Sequence, residues 1–188
     1  MTCIVGLATK HGVYIGGDSA GIAGLSLNHR ADEKVFINGG FVFGFTSSFR
    51  MGQVLRYAFK PPVITKGQSL PQFMATTFVD AVRESFKAHG FLKNINGEES
   101  GGTFIVGYKN KLFTIENDFQ VAEQRLPYHA VGCGDQVALG ALFTAVKDNN
   151  SYQSNPTAAR NTVVIALKAA ECFNAGVRAP FIVKCLRA

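Results

Sequence analysis

Apolar and polar positions alternate in short runs over the first part of the chain, with turn residues between the runs. This β-type alternation predicts two hairpins, with strands at residues 3–9, 13–17, 34–37 and 41–46. Lys10-His11-Gly12 separates the first pair of strands, and Asn38-Gly39-Gly40 separates the second pair.

Helical spacing of the apolar residues follows at two places in the middle of the chain. A first helix is predicted at residues 47–59, before Pro61-Pro62, and a second at residues 69–89, with Pro71 in its first turn. Residues 90–102 are predicted to form a loop.

The second half of the chain returns to strands and then to two more helices. The predicted strands cover residues 103–108, 111–115, 119–122 and 128–131, and a last strand covers residues 180–186. Gly132-Cys133-Gly134-Asp135 leads into a helix that ends near residue 148. Asn155 is the predicted N-cap of a helix that runs to residue 173.

Strands and helices thus occur in blocks, which favours an α+β protein with antiparallel sheets over a βαβ arrangement. Two sheets packed face to face, with a helix pair on each outer side, would bury all of these elements. We therefore expect a four-layer αββα sandwich that forms a single domain over residues 1–188.

Composition agrees with this expectation, since 47% of the 188 residues are hydrophobic and 17% are charged. No stretch approaches the roughly 20 apolar residues that a membrane-spanning helix needs. The opening residues do not resemble a signal peptide, so we expect a cytoplasmic protein.

The formal net charge of +6 invites a nucleic-acid partner, but the basic residues are scattered and do not alternate with aromatic ones. Neither nucleic acid nor a membrane is therefore predicted as a partner. The four cysteines form no CxxC pair and have no histidine at ligand spacing, so no metal and no cofactor is predicted. Cys133 alone draws attention, because it lies in a glycine-rich turn.

Thr2 offers a specific chemical option. Removal of Met1 would leave one residue with both a hydroxyl nucleophile and a free α-amine. An α-amine has an ordinary pKa of about 7.7–8.0, near what a general base at neutral pH needs. A threonine hydroxyl paired with its own amine is a known way to activate a weak nucleophile.

Asp18 and Lys34 are the next candidates for this site. If the first two strands form a hairpin, Asp18 returns close to the start of the chain. A buried Lys34 beside Thr2 would lower the hydroxyl pKa, and Asp18 would keep that lysine charged and oriented. The alternative is an aspartate at a strand end and a lysine on the surface.

These residues carry a resemblance to the proteasome β-subunits and HslV, a family of N-terminal-nucleophile hydrolases. Thr2-Cys3-Ile4-Val5-Gly6, Gly16-Gly17-Asp18-Ser19-Ala20 and Glu33-Lys34-Val35-Phe36 resemble three segments of that family. Asp18 lies 16 residues and Lys34 lies 32 residues after Thr2, and both offsets are those of the family. The nearest subgroup is the stand-alone proteasome-like proteins of bacteria and bacteriophages.

The resemblance implies a threonine-type endopeptidase with Thr2 as the nucleophile, its amine as the base, and Lys34 and Asp18 as the supporting pair. It implies a backbone N–H of Ser48 as the oxyanion donor, in place of a family glycine. It also places Asp135 and Asn174 beside the nucleophile, where the family has serine and aspartate, and Val177 where the family has a second serine. A carboxylate at position 135 would raise the pKa of the amine, unless Asp135 simply caps the following helix.

Six residues fall where the family lines its first specificity pocket: Gly21, Asp32, Phe36, Thr46, Arg50 and Val54. Asp32 and Arg50 are expected to pair. Phe36 and Val54 also fit a purely structural role in the core.

The partners that the resemblance implies are copies of the same chain, in a six- or seven-fold ring that is single or stacked. Unfolded proteins or peptides are the implied substrates, and an ATP-dependent unfoldase is a candidate partner. The departures at Ser48, Asp135 and Val177, and the Met1 in front of Thr2, keep two alternatives open. One is a catalytically silent ring protein, and the other is a small-molecule amidase.

Overall fold

The computed structural model of the chain describes residues 1–148 and 150–187, without the side chains at positions 29 and 148. Its strands are β1 (Cys3–Thr9), β2 (Gly12–Gly17), β3 (Ala20–Ala23), β4 (Ser26–His29), β5 (Val35–Asn38), β6 (Phe41–Phe45), β7 (Lys93–Ile95), β8 (Glu98–Ser100), β9 (Phe104–Tyr108), β10 (Lys111–Ile115), β11 (Val121–Glu123), β12 (Tyr128–Gly132) and β13 (Ile182–Arg187). Its α-helices are α1 (Phe49–Gln53), α2 (Leu70–Phe73), α3 (Val79–Ala88), α4 (Asp135–Asp148) and α5 (Pro156–Phe173). The π-helical turn Val54–Ala58 extends α1, a second one at Met74–Phe78 joins α2 to α3, and a 3-10 turn lies at Asn150–Gln153.

Two antiparallel sheets form the centre of the molecule. The first has the strand order β12-β1-β2-β13, and the second has the order β11-β10-β9-β6-β5. One core lies between the sheets, where Ile4 and Ile15 of the first sheet meet Val42 and Ile105 of the second. The two-residue period of a strand explains this, because every second side chain of β1 and β2 faces the partner sheet.

The outer face of each sheet is covered by helices. Cys3, Val5 and Leu7 alternate with Ile4 in β1 and pack against buried residues of α4 and α5. On the other side an aromatic core fills the space between the second sheet and α1 to α3, with Phe41, Phe43 and Phe78 near its centre. The predicted four-layer αββα sandwich is thus confirmed.

Local sequence signals explain where the helices begin. Ser48 caps α1, Ser69 caps α2, and the side chain of Asn155 accepts hydrogen bonds from the first turn of α5. The predicted helix at residues 69–89 is confirmed as the continuous stretch from α2 to α3. The predicted helix at 47–59 begins two residues later, because Ser47 and Ser48 form the turn that precedes it.

The sequence missed two short hairpins. One is β3–β4, and the other is β7–β8, which lies inside the predicted loop at residues 90–102. Both are mostly exposed and therefore lack the apolar alternation that marks a buried strand. The strand predicted at 119–122 forms instead at Val121–Glu123, because Phe119 adopts a positive φ of 68° in a turn.

Within the described residues, no helix is long and apolar enough to cross a membrane. That residues 1–188 form a single domain stays a prediction.

Phe78 provides a test of the aromatic core. Its ring is fully buried and lies 5.1 Å from Phe41 and 5.7 Å from Phe59, centroid to centroid. We expect Phe78→Ala to lower the free energy of unfolding by about 3–5 kcal/mol, measured by urea denaturation, because it leaves a cavity. Phe173→Ala is the control, since that ring is 80% exposed, and it should change the value by about 0.5 kcal/mol or less. Similar losses in both variants would contradict this description of the core.

Candidate active site

Thr2 lies immediately before β1 and is 7% exposed. It is held against Gly132 of β12, which pairs with Cys3 in the first sheet. Gly132 has a φ of +104°, and a Cβ at that position would lie 2.2 Å from the carbonyl oxygen of Thr2. Only glycine therefore lets β12 approach the start of the chain this closely.

Lys34 brings a buried ammonium group to Thr2. It precedes β5 and is 2% exposed, and its Nζ lies 2.9 Å from Thr2 Oγ1 and 2.9 Å from Asp18 Oδ1. Asp18 follows β2 and is also buried. Its carboxylate accepts hydrogen bonds from the backbone N–H groups of Cys3 (3.0 Å) and Ala20 (3.1 Å). The structure thus brings together the three residues that the sequence singled out first.

The electrostatics of this group follow from its burial. Burial lowers the pKa of the Lys34 ammonium, and the negative charge and hydrogen bond of Asp18 oppose that change. The Thr2 hydroxyl donates to the carbonyl oxygen of Met1 at 2.6 Å and accepts from Lys34. A cation held against a hydroxyl oxygen favours the deprotonated form of that oxygen.

Cys133 is the side chain that contacts the backbone nitrogen of Thr2. The N–H of Thr2 donates to Cys133 Sγ at 3.3 Å. The same sulfur lies 3.3 Å from Thr2 O and 3.3 Å from Asn174 Oδ1, either of which can accept the thiol proton. Asn174 Nδ2 donates to the carbonyl oxygen of Cys133 at 2.6 Å and fixes this turn. Asn174 therefore acts on Thr2 through Cys133.

Asp135 does not take the position that the sequence analysis gave it. Asp135 begins α4, and its carboxylate accepts from the backbone N–H of Gln136 at the helix N-terminus. Among the described contacts none joins it to Thr2, and its carboxylate lies in the first turn of α4, where a negative charge interacts favourably with the helix dipole. The side chain that contacts the nitrogen of Thr2 is Cys133, two residues before the predicted Asp135, because the turn at 132–134 directs Cys133 towards Thr2. Val177 is fully buried in the core under α5 and makes no polar contact with its side chain.

Ser48, the predicted oxyanion donor, has its backbone N–H engaged. That N–H donates to the carbonyl oxygen of Thr46 at 2.6 Å, across Ser47 with a φ of +61°. A backbone hydrogen bond between residues i and i+2, with a positive φ at the residue between them, is the geometry of a γ-turn, which is a strained conformation. The Ser48 hydroxyl accepts from the N–H of Arg50 and caps α1.

The predicted pocket residues divide into two groups. Phe36 and Val54 are buried in the aromatic core, as their structural interpretation required. Thr46 is buried too and donates through Oγ1 to the carbonyl oxygen of Thr103 at 3.0 Å.

The predicted pairing of Asp32 with Arg50 is wrong. Asp32 forms a two-bond ion pair with Arg30, and both hydrogen bonds are 2.6 Å long. Arg50 donates to the carbonyl oxygen of His89 instead. Arg30 also packs against Gly21, where a Cβ would lie 2.8 Å from Arg30 Cδ, and its guanidinium stacks on the ring of Phe49 at 3.8 Å.

Within residues 1–148 and 150–187, no group of three or more histidine, cysteine, aspartate or glutamate side chains could hold a metal ion.

Comparisons with known proteins place this geometry in a structural class. No family model matches the sequence, and no curated protein matches it. Among solved structures, BPH of Thiobacillus denitrificans in complex with epoxomicin has a TM-score of 0.76 at 17% identity, over 98% of each chain. Anbu, an ancestral beta-subunit, from Yersinia bercovieri has a TM-score of 0.65 at 18% identity, over 97% of this chain and 80% of that one. Anbu from Pseudomonas aeruginosa, solved as a helical assembly, has a TM-score of 0.66 at 15% identity, over 98% and 81%.

These likenesses show a proteasome-like N-terminal-nucleophile hydrolase fold. At 15–18% identity they show the fold alone. The assignment of the chain to the proteasome β-subunit and HslV-type family, in its stand-alone bacterial and bacteriophage subgroup, is therefore wrong. The neighbours are BPH and Anbu, and the relationship that they support is a loose one.

The buried ion pair generates a first test of the site. Asp18→Asn keeps the size of the side chain but leaves Lys34 buried without its counter-charge. We expect it to lower the free energy of unfolding by about 3–5 kcal/mol, measured by urea denaturation. Asp32→Asn is the matched control, because it breaks a half-exposed pair, and it should cost about 1 kcal/mol or less. Equal losses in the two variants would argue against a buried, paired Lys34.

Thiol reactivity generates a second test. Cys133 and Cys172 are exposed, whereas Cys3 is buried, and burial followed by the charge of Asp18 raises the pKa of its thiol to about 12. At pH 8 we expect an aromatic disulfide reagent to modify Cys133 and Cys172 rapidly and Cys3 only after unfolding, because the thiolate is the reactive species. Cys133→Ser should remove one rapid thiol and Cys172→Ser the other. Cys185 is half-buried, so the count is made in a Cys185→Ser background, where two rapid thiols remaining in Cys133→Ser would show that the sulfur is not where the structure has it.

Proposed function

We propose that this protein is a threonine-type peptidase whose nucleophile is the Thr2 hydroxyl after removal of Met1. The observation that carries the proposal is the 2.9 Å contact between Lys34 Nζ and Thr2 Oγ1, in a group where the ammonium is itself held by Asp18. A surface lysine would be hydrated and would influence the hydroxyl little. A buried one acts through a low local dielectric.

The proposed reaction proceeds in two halves. Thr2 Oγ1 attacks the carbonyl carbon of the substrate peptide, and its proton passes to the free α-amine. The tetrahedral intermediate collapses, the C–N bond breaks, and the leaving amine takes that proton. Water then attacks the resulting ester, the ester C–O bond breaks, and Thr2 recovers its hydroxyl proton. Lys34 stays protonated throughout, because Asp18 keeps its charge compensated.

Cys133 positions the base in this scheme. Its sulfur contacts the very nitrogen that would become the α-amine, at 3.3 Å. A thiol can accept one hydrogen bond from the amine while it donates to Asn174 Oδ1, which orients the amine lone pair towards the hydroxyl. Met1 must leave first, because an amide nitrogen has no basic lone pair.

The oxyanion needs a preorganised N–H donor. Ser48 can serve only when its N–H leaves the carbonyl oxygen of Thr46. The strain of the positive φ at Ser47 lowers the cost of that rearrangement. The same observation favours a second candidate function, a catalytically silent protein that keeps this fold for assembly.

We further propose that the chain works as a homo-oligomer. Anbu of Pseudomonas aeruginosa, which shares the fold, forms a helical assembly. The β3–β4 hairpin supports this for the present chain, because Leu25 at its tip is fully exposed and Leu27 is 44% exposed. Exposed apolar side chains on a projecting hairpin are typical of an interaction surface. A closed ring that enclosed Thr2 would restrict the site to unfolded chains.

Mass spectrometry of the intact, natively produced protein tests the proposal. We expect loss of Met1 and, after incubation with epoxomicin, one covalent adduct per chain. Thr2→Ala should form no adduct, and Lys34→Met should slow adduct formation by a factor of 100 or more, roughly the effect of removing a group that assists proton transfer. Thr144→Ala on the exposed face of α4 is the control and should react as the unchanged protein does.

Complete retention of Met1 with no adduct would refute the peptidase and leave the silent assembly protein. An adduct that persists in Thr2→Ala would place the nucleophile at another residue.

A further inference from the structure

A cavity of about 760 Å³ lies at the end of the β1–β2 hairpin opposite Thr2. Its walls come from the β1–β2 turn, Tyr14 of β2, Ser154 after the 3-10 turn, the N-terminal part of α5 and the end of β13. Thr2 precedes β1, whereas the β1–β2 turn follows it, so the two places are separated by the full length of that strand. This cavity is no part of the proposed active site.

The cavity is lined by basic side chains and has no acidic one among its lining residues. Lys10 and His11 come from the β1–β2 turn, Arg160 from α5 and Arg187 from β13. Ser154 adds a hydroxyl group from the segment before α5. Residues that are far apart in the chain thus converge with one sign of charge, a pattern that the scattered basic residues of the sequence did not reveal.

The ion pairs of the described residues lie outside this cavity. Elsewhere in the described part of the chain, six basic side chains form ion pairs: Arg30, Lys34, Arg56, Arg83, Lys111 and Lys184. Within residues 1–148 and 150–187, neither Lys10, Arg160 nor Arg187 takes part in an ion pair. Like charges around a concavity raise the free energy of the empty site and favour an anion in it.

The walls are tied together by hydrogen bonds. The N–H of Lys10 donates to Gln153 Oε1 at 3.1 Å, which joins the β1–β2 turn to the 3-10 turn. Arg160 Nη1 donates to the carbonyl oxygen of Val183 at 3.0 Å, which joins α5 to β13 and orients the guanidinium. Among the described contacts the other N–H groups of Arg160 form no hydrogen bond within the protein, so they can donate to a ligand. A site that is held in place in this way loses little conformational entropy on binding.

The start of α5 contributes its dipole but not its amides. The N–H groups of Thr157 and Ala158 already donate to Asn155 Oδ1, and Pro156 has no N–H. The first turn of α5 has no acidic side chain, so the positive end of the helix dipole is not neutralised there. Recognition would therefore rest on the side chains, with the dipole adding to their field.

We propose that this cavity binds a compact, phosphate-bearing small molecule. Arginine guanidinium groups match phosphate oxygens with paired hydrogen bonds, and lysine adds a point charge. The volume lies in the range of small-ligand sites, typically 300–1,000 Å³. Pro156 and the buried Tyr14 give the cavity an apolar wall for the non-phosphate part of the ligand. A cluster confined to one concavity fits a small anion better than the extended backbone of a nucleic acid.

Isothermal titration calorimetry at low ionic strength tests this with orthophosphate, pyrophosphate and tripolyphosphate as probes. We expect affinity to rise along the series and to fall at least tenfold in the double variant Arg160→Gln/Arg187→Gln, because each charge-assisted hydrogen bond is worth about tenfold or more. Lys66→Gln/Lys93→Gln is the matched control, since it removes the same charge from exposed positions that do not line the cavity, and it should leave the affinity unchanged. Both pairs are exposed, and equal melting temperatures would show that folding is unaffected.

Three results would overturn the proposal. One is the absence of binding, and another is equal weakening in both double variants, which would indicate a general charge effect. The third is an Arg160→Gln/Arg187→Gln protein that changes its oligomeric state without phosphate, because the cations would then serve an interface between copies. Thr2→Ala should bind the probes normally, so failure of the proposed peptidase and failure of this site are distinguishable.

Discussion

The contact between Lys34 and Asp18 connects the sheets of this molecule to its N-terminus. An ammonium and a carboxylate, 1% and 0% exposed, lie 2.9 Å apart between the end of β2 and the start of β5. Isolated in the interior, either charge would cost several kcal/mol. Here each charge offsets most of the desolvation free energy of the other. Two backbone N–H groups also donate hydrogen bonds to the carboxylate. The pair is therefore stable only while β1, β2 and β5 keep their relative positions.

Thr2 depends on this arrangement because its hydroxyl is the third partner of the Lys34 ammonium. The same carboxylate accepts from the N–H of Cys3, so the backbone beside Thr2 is fixed by the group that keeps Lys34 charged. Gly132 then closes the other side, where any side chain would collide with the carbonyl of Thr2. The position of the hydroxyl thus follows from a buried charge balance and one close backbone contact, and not from a flexible terminus.

Sequence reasoning could find this part of the site because its members lie near strand ends in the first 34 residues. The hairpin formed by β1 and β2 returns Asp18 to the chain start by geometry alone, and apolar alternation is a strong signal for buried strands. The contact of Cys133 with Thr2 spans 131 residues. Which side chain faces Thr2 depends on the backbone angles of the turn at 132–134, and positions 133 and 135 are only two residues apart. The prediction of Asp135 followed from the family resemblance, which does not fix the backbone angles of this turn.

The two ends of the β1–β2 hairpin show how burial determines whether a cation is paired with a carboxylate of the protein. At the Thr2 end, packed strands enclose Lys34 and exclude water from it. Its charge is compensated instead by the carboxylate of Asp18 at hydrogen-bonding distance. At the other end, Lys10, Arg160 and Arg187 face solvent, which stabilises each charge separately, so folding requires no carboxylate there. The first cation is compensated by the protein and can act on a neighbouring hydroxyl. The second group is left for an external anion to compensate, and a positively charged concavity on a chain of net charge +6 is consistent with that division.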